Sequence, residues 1–119
     1  MPQTYLGNLK ALALCLERVR EKFDRPVRVI SGYRTLAYND RCGGSKPKKN
    51  ADGSIVTGTG SKHLFAMAAD IQIKGVEPAK VAEAIEELIE AGKIPEGGLG
   101  VYKTFCHYDH RLKKARWVG

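Results

Sequence analysis

The chain is poor in cysteine, has no long apolar run and carries fewer acids than bases. Three cysteines in 119 residues, Cys15, Cys42 and Cys106, form neither an even framework nor a CxxC pair. Folding in a reducing compartment, without dependence on disulfides, is therefore expected. Cys15 lies among apolar residues of an expected helix and reads as a buried thiol, whereas Cys42 and Cys106 are compatible with free or paired states. No stretch approaches the roughly 20 apolar residues that span a bilayer, so membrane insertion is not expected. The N-terminus also lacks a basic segment followed by an apolar one, the mark of a secretory signal. Synthesis in the cytoplasm is expected, with delivery by another agent if the target lies outside.

The shortage of acid is the sharpest compositional feature: 13 Asp and Glu face 20 Lys and Arg, a net charge of +7. That excess predicts attraction to something anionic, such as nucleic acid, a membrane surface or a bacterial cell wall. No basic motif interleaved with aromatics marks a nucleic-acid module. Only Lys46, Lys48 and Lys49 are densely clustered, so a nucleic-acid reading rests on charge alone and no such partner is expected. The length suits one domain, residues 1–119, with one core, and a monomer is expected.

Along the chain, Leu6, Leu9, Ala13, Leu16, Val19 and Phe23 recur at helical steps through Tyr5–Phe23, and Pro26 stops the helix. Val27–Ser31 reads as a short strand. Gly, Asn, Asp, Ser and Lys dominate Cys42–Gly60, a long irregular connection that reads as a lid over a cleft or a flexible loop. Ala68–Ile73 alternates, with Ala69, Ile71 and Ile73 on one side and Ala68, Asp70 and Gln72 on the other. Val81, Ala84, Ile85, Leu88 and Ile89 form a second helical stripe between Pro78 and Gly92. Leu99–Tyr102 and Phe105–Arg111 read as a hairpin after Gly97-Gly98. This order predicts an α+β domain with a mostly antiparallel sheet.

Chemistry concentrates in two of these segments. Alternation puts His107, Asp109 and Arg111 on one strand face, with next-but-one residues roughly 6.5–7 Å apart. Asp70 lies on the open face of its strand among apolar neighbours, a costly position for a carboxylate unless paired or metal-bound. Two histidines and one carboxylate, with a fourth position open, are the pattern of a catalytic zinc site. By residue type alone, Asp70 and His107 are also compatible with a turn cap, an ion pair or a satisfied core histidine.

Ser61-x-His63 followed by Ala68-x-Asp70 resembles the SxHxxxxAxD motif of the zinc D-Ala-D-Ala carboxypeptidase family. That family includes peptidoglycan endopeptidases and is structurally akin to hedgehog signalling domains. Ser31-Gly32-Tyr33-Arg34-Thr35 with Asn39 is similar to the SGYRS…N segment of its small members. Gly98-x-Gly100-x-Tyr102, Phe105-x-His107-x-Asp109-x-Arg111 and Arg116-Trp117 resemble its C-terminal signature. The resemblance covers most of the chain. It implies a small, mostly antiparallel sheet with helices on one face and a zinc site on the other, and hydrolysis of a peptide bond in peptidoglycan.

Carried over by position, the resemblance makes His63, Asp70 and His107 the zinc ligands. Arg34 becomes the catalytic arginine that grips a substrate carbonyl or carboxylate, and Ser61 and Tyr33 become substrate-binding residues. Arg34 is otherwise an ion pair supporting its loop, and Ser61 a structural residue of the turn before His63. Several branches of the family place a glutamate three residues before the last histidine ligand; here that position is Thr104, which cannot serve. Asp109 is the replacement the HxD pattern offers as general base. Its other reading is a partner that orients His107 or Arg111. Ala66 stands where relatives often have glycine, which narrows the loop without removing a ligand. The missing signal segment points to a phage or prophage lysis protein. The missing glutamate leaves open a non-catalytic member that keeps its zinc as a structural element and binds the wall or a protein, or serves as a virion structural domain.

Overall fold

The computed structural model describes residues 3–35, 39, 41, 44, 46–52, 60–111 and 113–119. A 3-10 turn, Gln3–Tyr5, leads into helix α1, Leu6–Phe23. Strand β1, Arg28–Ser31, follows, then a 3-10 turn at Lys62–Phe65 and strand β2, Ala68–Gln72. Helix α2 spans Pro78–Glu90, and strands β3, Gly98–Val101, β4, Cys106–Asp109, and β5, Ala115–Val118, complete the chain. Most of residues 42–60, with Cys42, lies outside the described residues, as do the lid reading and the thiol state expected there. No helix among the described residues is long and apolar enough to cross a membrane.

The strands form one sheet in the order β1-β2-β4-β3-β5, antiparallel at every pairing except the parallel one between β3 and β5. Alternation assigns the two faces. Ala69, Ile71, Leu99, Cys106 and Tyr108 point to the helices and are buried with Val81, Ile85 and Leu88 of α2 and Leu12, Cys15 and Val19 of α1. Pro78 starts α2 at a position whose N–H would have no helical partner. The Tyr108 hydroxyl reaches into the core and donates to the Pro95 carbonyl at 2.8 Å, so the buried phenol is satisfied. Cys15 and Cys106 are both buried and free. Asp70, His107, Gly98, Gly100 and Trp117 belong to the opposite face.

Two expectations need correction. The buried stripe of α1 is Leu12, Cys15 and Val19, with Leu16 and Phe23 half-buried, whereas Leu6, Leu9 and Ala13 are exposed. The first turns of α1 are instead fixed by a polar contact, the Asn8 amide donating to the Phe65 carbonyl at 2.9 Å. The second correction is β5, which no alternation announces. Arg116 holds it, donating to the Gly97 carbonyl at 2.7 Å and to Glu86 and Glu96 at 2.5 and 2.6 Å.

Two local irregularities aim residues at the open face. The β1–β2 register changes between Val29, opposite Ile71, and Ser31, opposite Asp70. This bulge turns the chain so that Gly32 and Arg34 come beside β2. The 3-10 turn is capped by the Ser61 hydroxyl, which accepts the His63 N–H at 3.3 Å, and closes at Ala66 in the left-handed conformation, φ 56° and ψ 32°. Phe65 plugs the turn into the interior, its ring edge-on to Tyr5.

A non-glycine residue at positive φ, such as Ala66, costs about 1–2 kcal/mol. Ala66→Gly is expected to keep unfolding free energy within about 1 kcal/mol of wild type, because relief of strain offsets a lost buried methyl and added chain entropy. Ala66→Val, β-branched in the same conformation, is expected to lose about 2 kcal/mol or more. Urea unfolding of the two variants measures both.

Candidate metal centre

Asp70 and His107 sit directly opposite each other on β2 and β4, where side chains on one face are separated by only about 5 Å at Cβ. His107 Nδ1 lies 2.9 Å from Asp70 Oδ1. His63, from the capped 3-10 turn, brings Nε2 to 3.4 Å from Asp70 Oδ2. The three residues are 2, 5 and 7 % exposed in chain order, and one donor atom from each lies within 4.8 Å of the others. A tetrahedral ion with bonds of about 2.1 Å needs donors about 3.4 Å apart, so the set matches in donor type and in spacing.

The far nitrogens make the stronger case. His63 Nδ1 is 2.6 Å from the Gly32 carbonyl oxygen. A carbonyl only accepts, so this nitrogen carries the proton. In the neutral ring Nε2 then turns a lone pair toward the Asp70 carboxylate, and two acceptors face each other across a buried gap. His107 lies between two carboxylates, with Nε2 2.7 Å from Asp109 Oδ2 and Nδ1 2.9 Å from Asp70 Oδ1; a proton held on Nε2 by Asp109 leaves Nδ1 free to ligate on the Asp70 side. His63 Nε2, His107 Nδ1 and Asp70 therefore converge on one point that suits a cation, a place the metal-free protein fills with protons shared between the rings and the carboxylate. A backbone carbonyl or carboxylate behind each ligating imidazole is the usual way that a metal-binding tautomer is fixed.

Asp109 is fully buried and fully engaged. Its Oδ1 accepts from Arg111 Nε at 2.6 Å and from the Gly98 N–H at 3.1 Å, and its Oδ2 from Arg111 Nη2 at 2.6 Å and from His107. Arg111 in turn lies over the Trp117 ring, whose centroid is 5.0 Å from that of His107. The two glycines of Gly98-x-Gly100 make this layer possible. A Cβ on Gly98 would strike Asp109 Oδ2, and one on Gly100 would strike the Trp117 indole nitrogen.

Charge follows from these contacts. Burial pushes the Asp70 carboxyl up, but hydrogen bonds and charge from His107 and His63 outweigh it and hold the group well below the usual carboxylate range. Burial likewise opposes ionisation of Asp109 and is outweighed by Arg111 and His107. Burial lowers the His107 value, and Asp109 and Asp70 more than reverse it, leaving it raised. Cys106, next to His107 but on the core face, is pushed up to about 12 by burial and by the Asp70 charge; it is a thiol, not a ligand.

A cavity of about 490 Å³ opens over the donors, with Arg34, Ser61, Lys62 and Arg111 among its polar walls and Tyr102, Phe105 and Trp117 as its aromatic side. Arg34 reaches Asp70 Oδ2 with Nη2 at 3.3 Å, Asn39 Oδ1 with Nη1 at 3.4 Å and Ser31 Oγ with Nε at 3.2 Å. Ser61 both lines the cavity and caps the turn that carries His63. Tyr33 is not brought to this cavity: its ring packs near Tyr5, with centroids 6.4 Å apart. Thr104 is exposed in the β3–β4 turn, where its carbonyl accepts from Gln72. The Gly32 carbonyl, the Gly98 N–H and the Trp117 wall were not legible as site components, because two are backbone groups and the third sits on the unannounced strand β5.

The model of the peptidase M15 family matches residues 2–109, a span that includes His63, Asp70, His107 and Asp109. The chain belongs to the peptidase M15 family. It is thereby a metallopeptidase in general type, D-Ala-D-Ala-carboxypeptidase-like, and the helix-backed sheet of this M15 chain agrees with that membership. No curated protein and no solved structure matches it significantly.

The lowered Asp70 and Asp109 contribute stability that is present above the ordinary carboxylate value of about 4 and is lost as pH falls below it. The raised His107 works in the other direction: its contribution is present below the ordinary imidazole value of about 6.5 and is lost as pH rises through the raised one. Metal-free protein is therefore expected to lose stability on acidification below pH about 4, and Asp109→Asn to show a shallower loss in the same urea series. The same variant is expected to bind metal about 10–100-fold more weakly, as read by competition with a chromogenic chelator.

Proposed function

We propose that the protein is a zinc metallopeptidase that hydrolyses a peptide bond in bacterial peptidoglycan. The bond would be the terminal one of a D-Ala-D-Ala stem or one in the stem or cross-bridge. The observation that carries the metal assignment is the convergence of His63 Nε2, His107 Nδ1 and Asp70 on one buried point, with the Gly32 carbonyl and Asp109 placed to accept from the far nitrogens. Zinc suits two imidazoles and one carboxylate, and in such a set it supplies Lewis acidity that activates water at neutral pH and polarises a carbonyl.

The chain's own residues then divide the remaining work. Arg34 points a planar fork of donors into the cavity beside Asp70 and is placed to hold a substrate carbonyl or carboxylate and to stabilise developing oxyanion charge. Ser61 keeps His63 in place through its cap and presents its hydroxyl to the same cavity. For Asp109 we take the orienting role over that of general base, because both oxygens are occupied and the carboxylate is shielded from the cavity by His107 and Arg111. The net charge of +7 favours encounter with an anionic wall.

A second reading is a non-catalytic zinc domain that binds the wall. It is favoured by the lining of the cavity, in which Asp70 is the only carboxylate among the described residues. One assay separates the two. Purified peptidoglycan is incubated with zinc-loaded protein, chelated protein and His63→Ala, and new amino termini or released D-Ala are identified by mass spectrometry. Cleavage by the zinc-loaded wild type alone is expected; wall binding without cleavage would establish the second reading. Arg34→Ala is expected to lower kcat/KM by about 10²–10³ while retaining zinc, checked by metal analysis of the same sample.

A further inference from the structure

A second cavity, of about 790 Å³, shares no lining residue with the metal centre. It enters the helix side of the sheet between β1, the end of β2 and the start of α2. Its floor is apolar, with Ile71, Ile73, Val76 and Val81. Its rim carries Arg25, Arg28 and Lys74, and no carboxylate lines it. Among the described residues none of these three cations forms an ion pair. Arg25 is nevertheless fixed, its Nη1 donating to the Lys74 carbonyl at 3.1 Å and lying against Gly75, which adopts φ 80°. The wall is also ordered by the Val76 N–H, which donates to the Ile73 carbonyl at 3.0 Å.

An apolar pocket of several hundred Å³ with a few convergent polar groups is the general form of a small-molecule site. Here the charged groups are all of one sign and, among the described residues, form no ion pair. The complementary ligand has an apolar body that covers the half-buried Val76 and Pro78 above the buried Ile71, Ile73 and Val81, and one anionic head at the rim. We propose that this cavity is a binding site for a small anionic amphiphile, of the class of a medium-chain carboxylate, separate from the peptidase centre.

Sodium octanoate is the probe, titrated into zinc-loaded protein while methyl NMR shifts of Ile71, Ile73, Val76 and Val81 are followed, with 1-octanol and octylammonium as controls. Octanoate is expected to saturate these shifts, with 1-octanol about tenfold weaker and octylammonium weaker still. The double variant Arg28→Glu/Lys74→Glu, whose changes are on exposed side chains, is expected to lose about tenfold or more in octanoate affinity. Val76→Trp, which fills the cavity from its turn, is expected to abolish binding. Activity at the metal centre is expected to be unchanged in both variants. Absence of saturable shifts would overturn the proposal. So would equal binding of octanol or octylammonium, or shifts seen only with phosphatidylglycerol vesicles, which would mark a membrane-docking face instead.

Discussion

Two imidazoles and a carboxylate meet at one buried point, and the open face of the sheet is organised around that meeting. The Gly32 carbonyl holds a proton on His63 Nδ1, and Asp109 pairs with Nε2 of His107, so the nitrogens turned toward Asp70 are the ones that can give up a proton to a metal. A deprotonated ring nitrogen facing a carboxylate in a site less than a tenth exposed is unfavourable by several kcal/mol unless a proton or a metal ion lies between them. Arg34 supplies part of that charge from one side, at 3.3 Å from Asp70. The rest must come from protons or from a metal.

Much of the scaffold serves this constraint. The β2–β4 register sets Asp70 opposite His107. The bulge in β1 delivers the Gly32 carbonyl, and the Ser61 cap with the left-handed Ala66 holds His63 in a turn too short to be stable alone. Behind His107, Asp109 is clamped by Arg111, and Arg111 by Trp117 across two glycines that leave room for both. Each layer restricts the one in front of it, so His107 reaches the centre with its ring orientation already chosen. This preorganisation suits a site that binds metal and acts on it without rearrangement.

Strand period made part of this legible. Alternation alone places Asp70 on the open face of β2 and puts His107 and Asp109 together on β4, as observed. His63 has no such signal, because a single 3-10 turn has no repeat to read, and only the motif SxHxxxxAxD points to it. Leu6 and Leu9 illustrate the limit of helical period: the spacing identifies α1 but not which apolar flank meets the sheet, and tertiary contact chose Leu12, Cys15 and Val19. β5 is hidden because its four residues are held by the Arg116 ion pairs and the Trp117 contact rather than by alternating burial. Asp109 carried two readings in sequence because strand spacing fixes its face but not its partners. The partners, Arg111 and Gly98, are what distinguish an orienting carboxylate from a proton acceptor.

The central claim is the identity of the donor atoms, and long-range ¹H–¹⁵N spectra of the imidazole side chains test it most directly. On addition of one equivalent of zinc to metal-free protein, His63 Nε2 and His107 Nδ1 are expected to take the shifts of metal-bound nitrogen, while His63 Nδ1 and His107 Nε2 keep their protons. Metal-bound shifts at the opposite nitrogens, or at His110 in place of either ring, would contradict the account, as would no change in either ring.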